Sequence, residues 1–118
     1  MAYGIYLAVD QDRWFYGDFS SENKLTGTIY TDKNLSQKKN LSGYTVKIKM
    51  FTPRTIGARF DKTATIVSAS GGTWEYAVQE GEMPIFGMYL VKAELTKSGV
   101  RESTLNHVEF QVLEGSSG

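Results

Sequence analysis

Apolar and polar residues alternate along most of this chain. Over residues 72–78, Trp74, Tyr76 and Val78 share one face, and over residues 87–96 Tyr89, Val91, Ala93 and Leu95 do. A period of two predicts strands with one side in a core. Residues 44–50 repeat the pattern, with Tyr44, Val46, Ile48 and Met50 on one face and Thr45, Lys47 and Lys49 on the other. One dry face and one wet face is the antiparallel signature. Residues 60–67 place Ala64 and Ile66 opposite Thr63, Thr65 and Val67. Further strands are predicted over 3–9, over 24–30, where Leu25 and Ile29 bracket Gly27, and over 104–113, where Val108, Phe110 and Val112 face inward. Residues 13–16 read as a short extended piece.

Turn residues punctuate these runs. Asp10-Gln11-Asp12, Gly17-Asp18 and Lys97-Ser98-Gly99-Val100 are turn signals. Residues 31–40 are polar except for Leu35 and read as a loop or a long hairpin arm. The loop over 79–86 is expected to carry the chain from one sheet to another. No segment shows a helical stripe. The expectation is an all-β, immunoglobulin-like antiparallel β-sandwich of about seven or eight strands over residues 1–113, with residues 114–118 as a flexible tail. Its core is expected to contain Val46, Ile48, Trp74, Tyr76, Tyr89, Val91, Val108 and Phe110.

Composition narrows the function classes. A chain of 118 residues suggests one domain. It has no cysteine, which removes disulfides, thiolate metal ligands and thiol nucleophiles. Its 13 basic and 13 acidic residues cancel, which argues against nucleic acid or an anionic membrane as partner. Lys33, Lys38 and Lys39 form one basic cluster, read as a solvated loop. No apolar run approaches the ~20 residues of a membrane span. The first ten residues lack the basic region and long apolar core of a signal peptide, so export is not expected.

Candidate chemistry is sparse. His107 is the single histidine and is expected to point outward from the last strand. There is no Gly-x-Ser-x-Gly elbow to present a serine. Asp10 and Asp12 resemble half of a calcium loop, to which Asp18 and Asp61 could add oxygens only through the fold, and turn capping is the simpler reading. Gly71-Gly72-Thr73 precedes a strand rather than a helix and so is not a phosphate loop. No catalytic residue, cofactor or metal is assigned, and the chain is expected not to be an enzyme. Arg13, Trp14, Phe15 and Tyr16 are the candidate interface, because three consecutive aromatics cannot all face one core. The functional reading is a sugar platform or a protein contact. The structural reading is an edge strand under a loop. The uncharged segment 3–9 is a second candidate for pairing with another subunit.

One stretch carries a family likeness. Lys39-Asn40-Leu41-Ser42-Gly43-Tyr44-Thr45-Val46-Lys47-Ile48 resembles the strand entry of immunoglobulin-like domains in tailed-phage virion proteins, such as the N-terminal domain of phage baseplate upper proteins. Gly17-Asp18, the strand over 24–30, Gly72 through Tyr76, Pro84 through Tyr89 and Glu109-Phe110-Gln111-Val112 resemble further parts of that domain. The usual Pro-Gly of the family is spread here to Pro84-Ile85-Phe86-Gly87. The resemblance implies a structural component of a virion, in the tail, baseplate or head. The expected partners are other virion proteins and the chain itself. The alternative is a carbohydrate-binding or adhesin-type module that contacts a host-surface glycan.

Overall fold

The computed structural model describes residues 4–15, 24–52, 58–79 and 87–113. Among them there are nine strands and no helix. They are β1 (Tyr6–Val9), β2 (Arg13–Phe15), β3 (Lys24–Tyr30), β4 (Thr45–Phe51), β5 (Ala58–Ser68), β6 (Thr73–Ala77), β7 (Gly87–Lys97), β8 (Val100–Ser103) and β9 (Val108–Leu113). The expected tail over 114–118, and most of the loop over 79–86, lie outside the described residues.

Hydrogen bonds join the strands into one curled mixed sheet in the order β1-β3-β6-β5-β4-β7-β9-β2, with β8 paired to β7. Two stretches of chain make the curl. The first part of β5 pairs with β4, from Phe51↔Ala58 to Val46↔Ala64. Its last part pairs with β6, from Thr65↔Glu75 to Ser68↔Thr73, with a register shift between Ile66 and Ser68. One strand thus serves two neighbours, and the shift bends it between them. The N-terminal segment divides in the same way. β1 lies antiparallel to β3, and after the bend at residues 10–12, β2 lies parallel to β9. The parallel pair corrects the expectation of a purely antiparallel arrangement. Alternation within β2 cannot reveal pairing direction, because it reports only which side faces the core.

The inward residues meet in one core. Leu7, Leu25, Ile29, Val46, Ile48, Met50, Trp74, Tyr89, Val91, Ala93, Leu95, Phe110 and Val112 are all buried. Of the eight residues expected in the core, Tyr76 and Val108 are partly buried and packed against it, and the other six are buried. Tyr76 meets Phe60 edge to face at 5.8 Å, so its ring still adds aromatic contact at the margin. Gly27 is inward but has no side chain for a reason. A Cβ there would lie 2.3 Å from the Ala8 carbonyl oxygen and 2.4 Å from Cζ2 of Trp74. The indole of Trp74 occupies the space a larger residue would need.

The strand expected over 104–113 starts only at Val108, after a corner over residues 104–107 that joins it to β8. Thr104, buried at 2% exposure, holds the corner to β7. Its N–H donates to the Ala93 carbonyl at 2.9 Å, and its Oγ1 accepts from the Ala93 N–H at 3.1 Å. Residues 105–107 then leave the β7 ladder and reach toward β1. The strand count exceeds the expectation because Val100–Ser103, at and after the predicted turn, form a strand of their own, β8. The alternating pattern continues through the corner, because Thr104 supplies by its side chain what a strand residue would supply by its backbone.

Candidate functional site

The sequence singled out the β1–β2 region, which the fold places against both edges of the curled sheet. Trp14 turns inward and is buried, belonging to the same core as Trp74 and Phe110. Its pairing with Val112 explains the orientation, since Val112 is also inward. Arg13 is exposed and pairs with Asp12 at 3.2 Å. The Arg13 guanidinium, by hydrogen bond and then by charge, holds the Asp12 carboxyl below its ordinary range. The Phe15 side chain and Tyr16 lie outside what the structure describes. Of the four candidate interface residues, Arg13 is thus the one with a described exposed side chain. Trp14 contributes packing and presents no accessible face.

β1 stands at one end of the strand order, yet part of its outer edge is covered. Asn106, from the corner after β8, faces Leu7 as a strand would. Its Oδ1 accepts from the Leu7 N–H at 2.7 Å, and its Nδ2 donates to the Leu7 carbonyl at 2.9 Å. One residue earlier, the Leu105 N–H donates to the Ile5 carbonyl at 2.9 Å. A carboxamide offers one donor and one acceptor, so it can replace a neighbouring residue's backbone pair. This clasp withdraws the Leu7 backbone from edge-to-edge pairing. Gln11 acts similarly at the bend, where its Oε1 accepts from the Thr26 N–H at 2.9 Å. Sequence reasoning missed both amides, because their partners are far away in the chain.

The outer face of β1, β3, β6 and the end of β5 carries few charges. It carries Tyr6, Ala8, Thr26, Thr28, Tyr30, Thr65 and Thr73, with Tyr6 directly opposite Tyr30. Lys24 and Glu75 form its ion pair at 2.6 Å. Val67, at the register shift, is 58% exposed. Among the described residues the hydroxyls of Tyr6, Thr28, Tyr30 and Thr65 have no protein partner, so they are free to bond water or a ligand.

Titratable side chains are dispersed. Asp10 accepts from the Thr26 hydroxyl at 2.6 Å, whereas Asp12 faces Arg13, so these two aspartates do not converge. Among the described residues no three histidines or acids gather closely enough to hold a metal ion. His107 is exposed in the corner before β9. It lines a shallow hollow with Phe51, Leu90 and Lys92. Asp32 caps its loop, accepting from the Ser36 hydroxyl and from the N–H groups of Ser36 and Gln37. These bonds, the Ser36 hydroxyl foremost, lower its pKa. No protein-family model, curated protein or solved structure matches this chain.

Proposed function

We propose that this chain is a non-enzymatic assembly module of a tailed-phage virion, built as an immunoglobulin-like sandwich. The division of the first segment between β3 and β9, and of β5 between β4 and β6, supports the sandwich reading. Each division falls where a chain would cross between two packed layers. The observation that carries the assembly role is the outer face of β1, β3, β6 and β5. It is broad, rich in threonine and tyrosine, and carries little charge. Such a face can be covered by another protein without desolvating many ions. The virion origin rests on the strand-entry resemblance over residues 39–48.

The test is cross-linking and mass spectrometry of purified particles that carry the chain, beside particles assembled with Thr28→Glu or Val67→Glu. Cross-links from the Thr28–Thr73 face, with reduced incorporation of the variants, are the expected result. Absence of the chain from purified particles would overturn the virion reading. Normal incorporation of both variants would move the interface elsewhere. A second reading, a glycan-binding module, is supported by the Tyr6–Tyr30 pair beside unpartnered threonine hydroxyls. Aromatic faces with nearby hydroxyls suit sugar rings. Retention on a neutral glycan array, lost in Tyr30→Ala, separates it from the first.

A further inference from the structure

The hairpin of β7 and β8 leaves one edge of β8 open. Its turn is Ser98-Gly99, with φ of +51° and +80°, flanked by the pair Lys97↔Val100. A two-residue turn with two positive φ values closes on a hydrogen-bonded pair. Bonded and non-bonded pairs then alternate along an antiparallel ladder. Lys97↔Val100 and Leu95↔Glu102 are therefore the bonded pairs, and Thr96↔Arg101 and Glu94↔Ser103 are not. The corner keeps this phase, since Thr104 bonds Ala93 of β7. The N–H and C=O groups of Arg101 and Ser103 thus point away from β7. Both residues are exposed, and among the described residues β8 pairs with β7 alone. At β1 the Asn106 carboxamide fills the edge that here stays bare.

The side chains along this edge form two unlike faces. Val100 and Glu102 lie on the side of Leu95, and Arg101 and Ser103 lie on the other. Val100 is 69% exposed. With Tyr44, Leu95 and Glu102 it lines an open hollow of about 310 Å³. The Lys97 ammonium of that hollow lies over the Tyr44 ring, 5.0 Å from its centroid. Arg101 lines a second hollow, on the other face, with Thr45, Lys47, Glu94 and Thr96. Glu94 is held by Lys49 at 3.3 Å. Among the described residues the ion pairs are Arg13–Asp12, Lys24–Glu75 and Lys49–Glu94. Arg101 and Glu102 take part in none of them.

An open edge can add a strand, with main-chain bonds for affinity and alternate side chains for specificity. A second copy of β8 does not suit this one. A two-fold antiparallel pairing through the free groups sets Glu102 against Glu102, Arg101 against Arg101, or Ser103 against Ser103. The first two place like charges directly opposite each other, which is destabilising. The third sets Glu102 against Thr104, which is buried in the corner. We propose that β8 instead accepts an extended segment of another protein as an added antiparallel strand. Read from its N-terminus, that segment offers a polar residue to Ser103, a basic one to Glu102, an acidic one to Arg101 and an apolar one to Val100. Each unpaired charge on the edge then gains a cross-strand partner. Four residues make a short edge, so the contact is weak and reversible. This surface is distinct from the outer face of β1, β3, β6 and β5, and it does not depend on the virion reading.

The experiment is an amide NMR titration of the full chain with a capped octapeptide that carries Thr-Lys-Glu-Ile at its centre and serine elsewhere. Shifts centred on Arg101, Glu102 and Ser103 are expected, with slowed hydrogen exchange at the Arg101 and Ser103 amides. The peptide with lysine and glutamate exchanged should bind about tenfold more weakly, because both cross-strand pairs become like charges. N-methylation of the peptide glutamate removes its bond to the Arg101 carbonyl and should abolish the β8 shifts. Arg101→Glu combined with Glu102→Lys should reverse the order of the two peptides, and retained amide dispersion shows that this variant keeps the fold. No shift at β8 in millimolar peptide, or equal binding of the two charge patterns, overturns the proposal. So does undiminished binding of the N-methylated peptide. A dimer of the chain alone in light scattering, with the Arg101 and Ser103 amides already protected, overturns the partner segment in favour of a second copy.

Discussion

Asn106→Ala tests whether a single carboxamide holds β1 in place. The change removes both bonds to Leu7, the acceptor at 2.7 Å and the donor at 2.9 Å. Leu7 is fully buried, so its N–H and C=O cannot turn freely to solvent. An unsatisfied buried group costs about 1–3 kcal/mol. For two groups at a sheet edge, where water gains partial access, the expected loss is about 2–4 kcal/mol. In a domain of this size that lowers Tm by roughly 8–16 °C, at about 4 °C per kcal/mol. Ile5 is buried in the same core, and Leu105 holds its carbonyl. Fraying should therefore expose Ile5 and Leu7 together. Urea unfolding gives the loss of stability, and hydrogen exchange gives its location. Protection of the Leu7 and Leu105 amides should fall before that of β4 and β7. A variant within about 0.5 kcal/mol of wild type, the usual range for surface changes, would refute the clasp. So would an unchanged Leu7 exchange rate.

Three other outcomes follow from the core and the loops. Gly27→Ala should destabilise by about 1–3 kcal/mol or more, because its Cβ would meet the Ala8 carbonyl at 2.3 Å, and backbone cannot yield as a flexible side chain does; thermal unfolding measures it. Trp74→Ala should cost about 3–5 kcal/mol in chemical denaturation. Trp74→Phe should cost clearly less, since Nε1 of Trp74 is buried without a hydrogen-bond partner and its removal forfeits no bond. For Asp32 the folded pKa is lowered, so the stability it contributes is present above the unfolded carboxyl pKa of about 3.9 and is lost as pH falls through the folded value. The Ser36 and Gln37 amide shifts should titrate together below about pH 4 and lose that titration in Asp32→Asn.

Alternation alone marked which residues face the core, and it did so well in β3, β4, β6 and β7. Val46, Ile48, Tyr89, Val91, Ala93 and Leu95 are buried where the period of two places them. It did so because these strands have one dry side and one wet side, and the side chain's period equals the strand's. Alternation is silent on what lies beside a strand, since neighbours are set by backbone hydrogen bonds that carry no residue signature. The parallel seating of β2, the sharing of β5 and the corner at Thr104 were decided at that level. The aromatic run at 13–16 read as too crowded for one core, yet Trp14 found space in it, because β2 lies beside β9 with Val112 also turned inward.

The candidate sites divide in the same way. The threonine and tyrosine face was implicit in the outward positions of each strand, but only the register set Tyr6 beside Tyr30. The turn over 97–100 was legible from its residues, whereas the lack of a second neighbour for β8 was not. Nothing in Arg101 or Ser103 tells which way their backbone groups point, because that follows from the register against β7. The amides of Gln11 and Asn106 show the same limit. Composition and periodicity determined an all-β chain with a core rich in leucine, isoleucine and valine, because burial depends on each residue's own polarity. Which carboxamide closes an edge, and which edge is left open, depends on long-range pairing, and that was decided only when the sheet curled on itself.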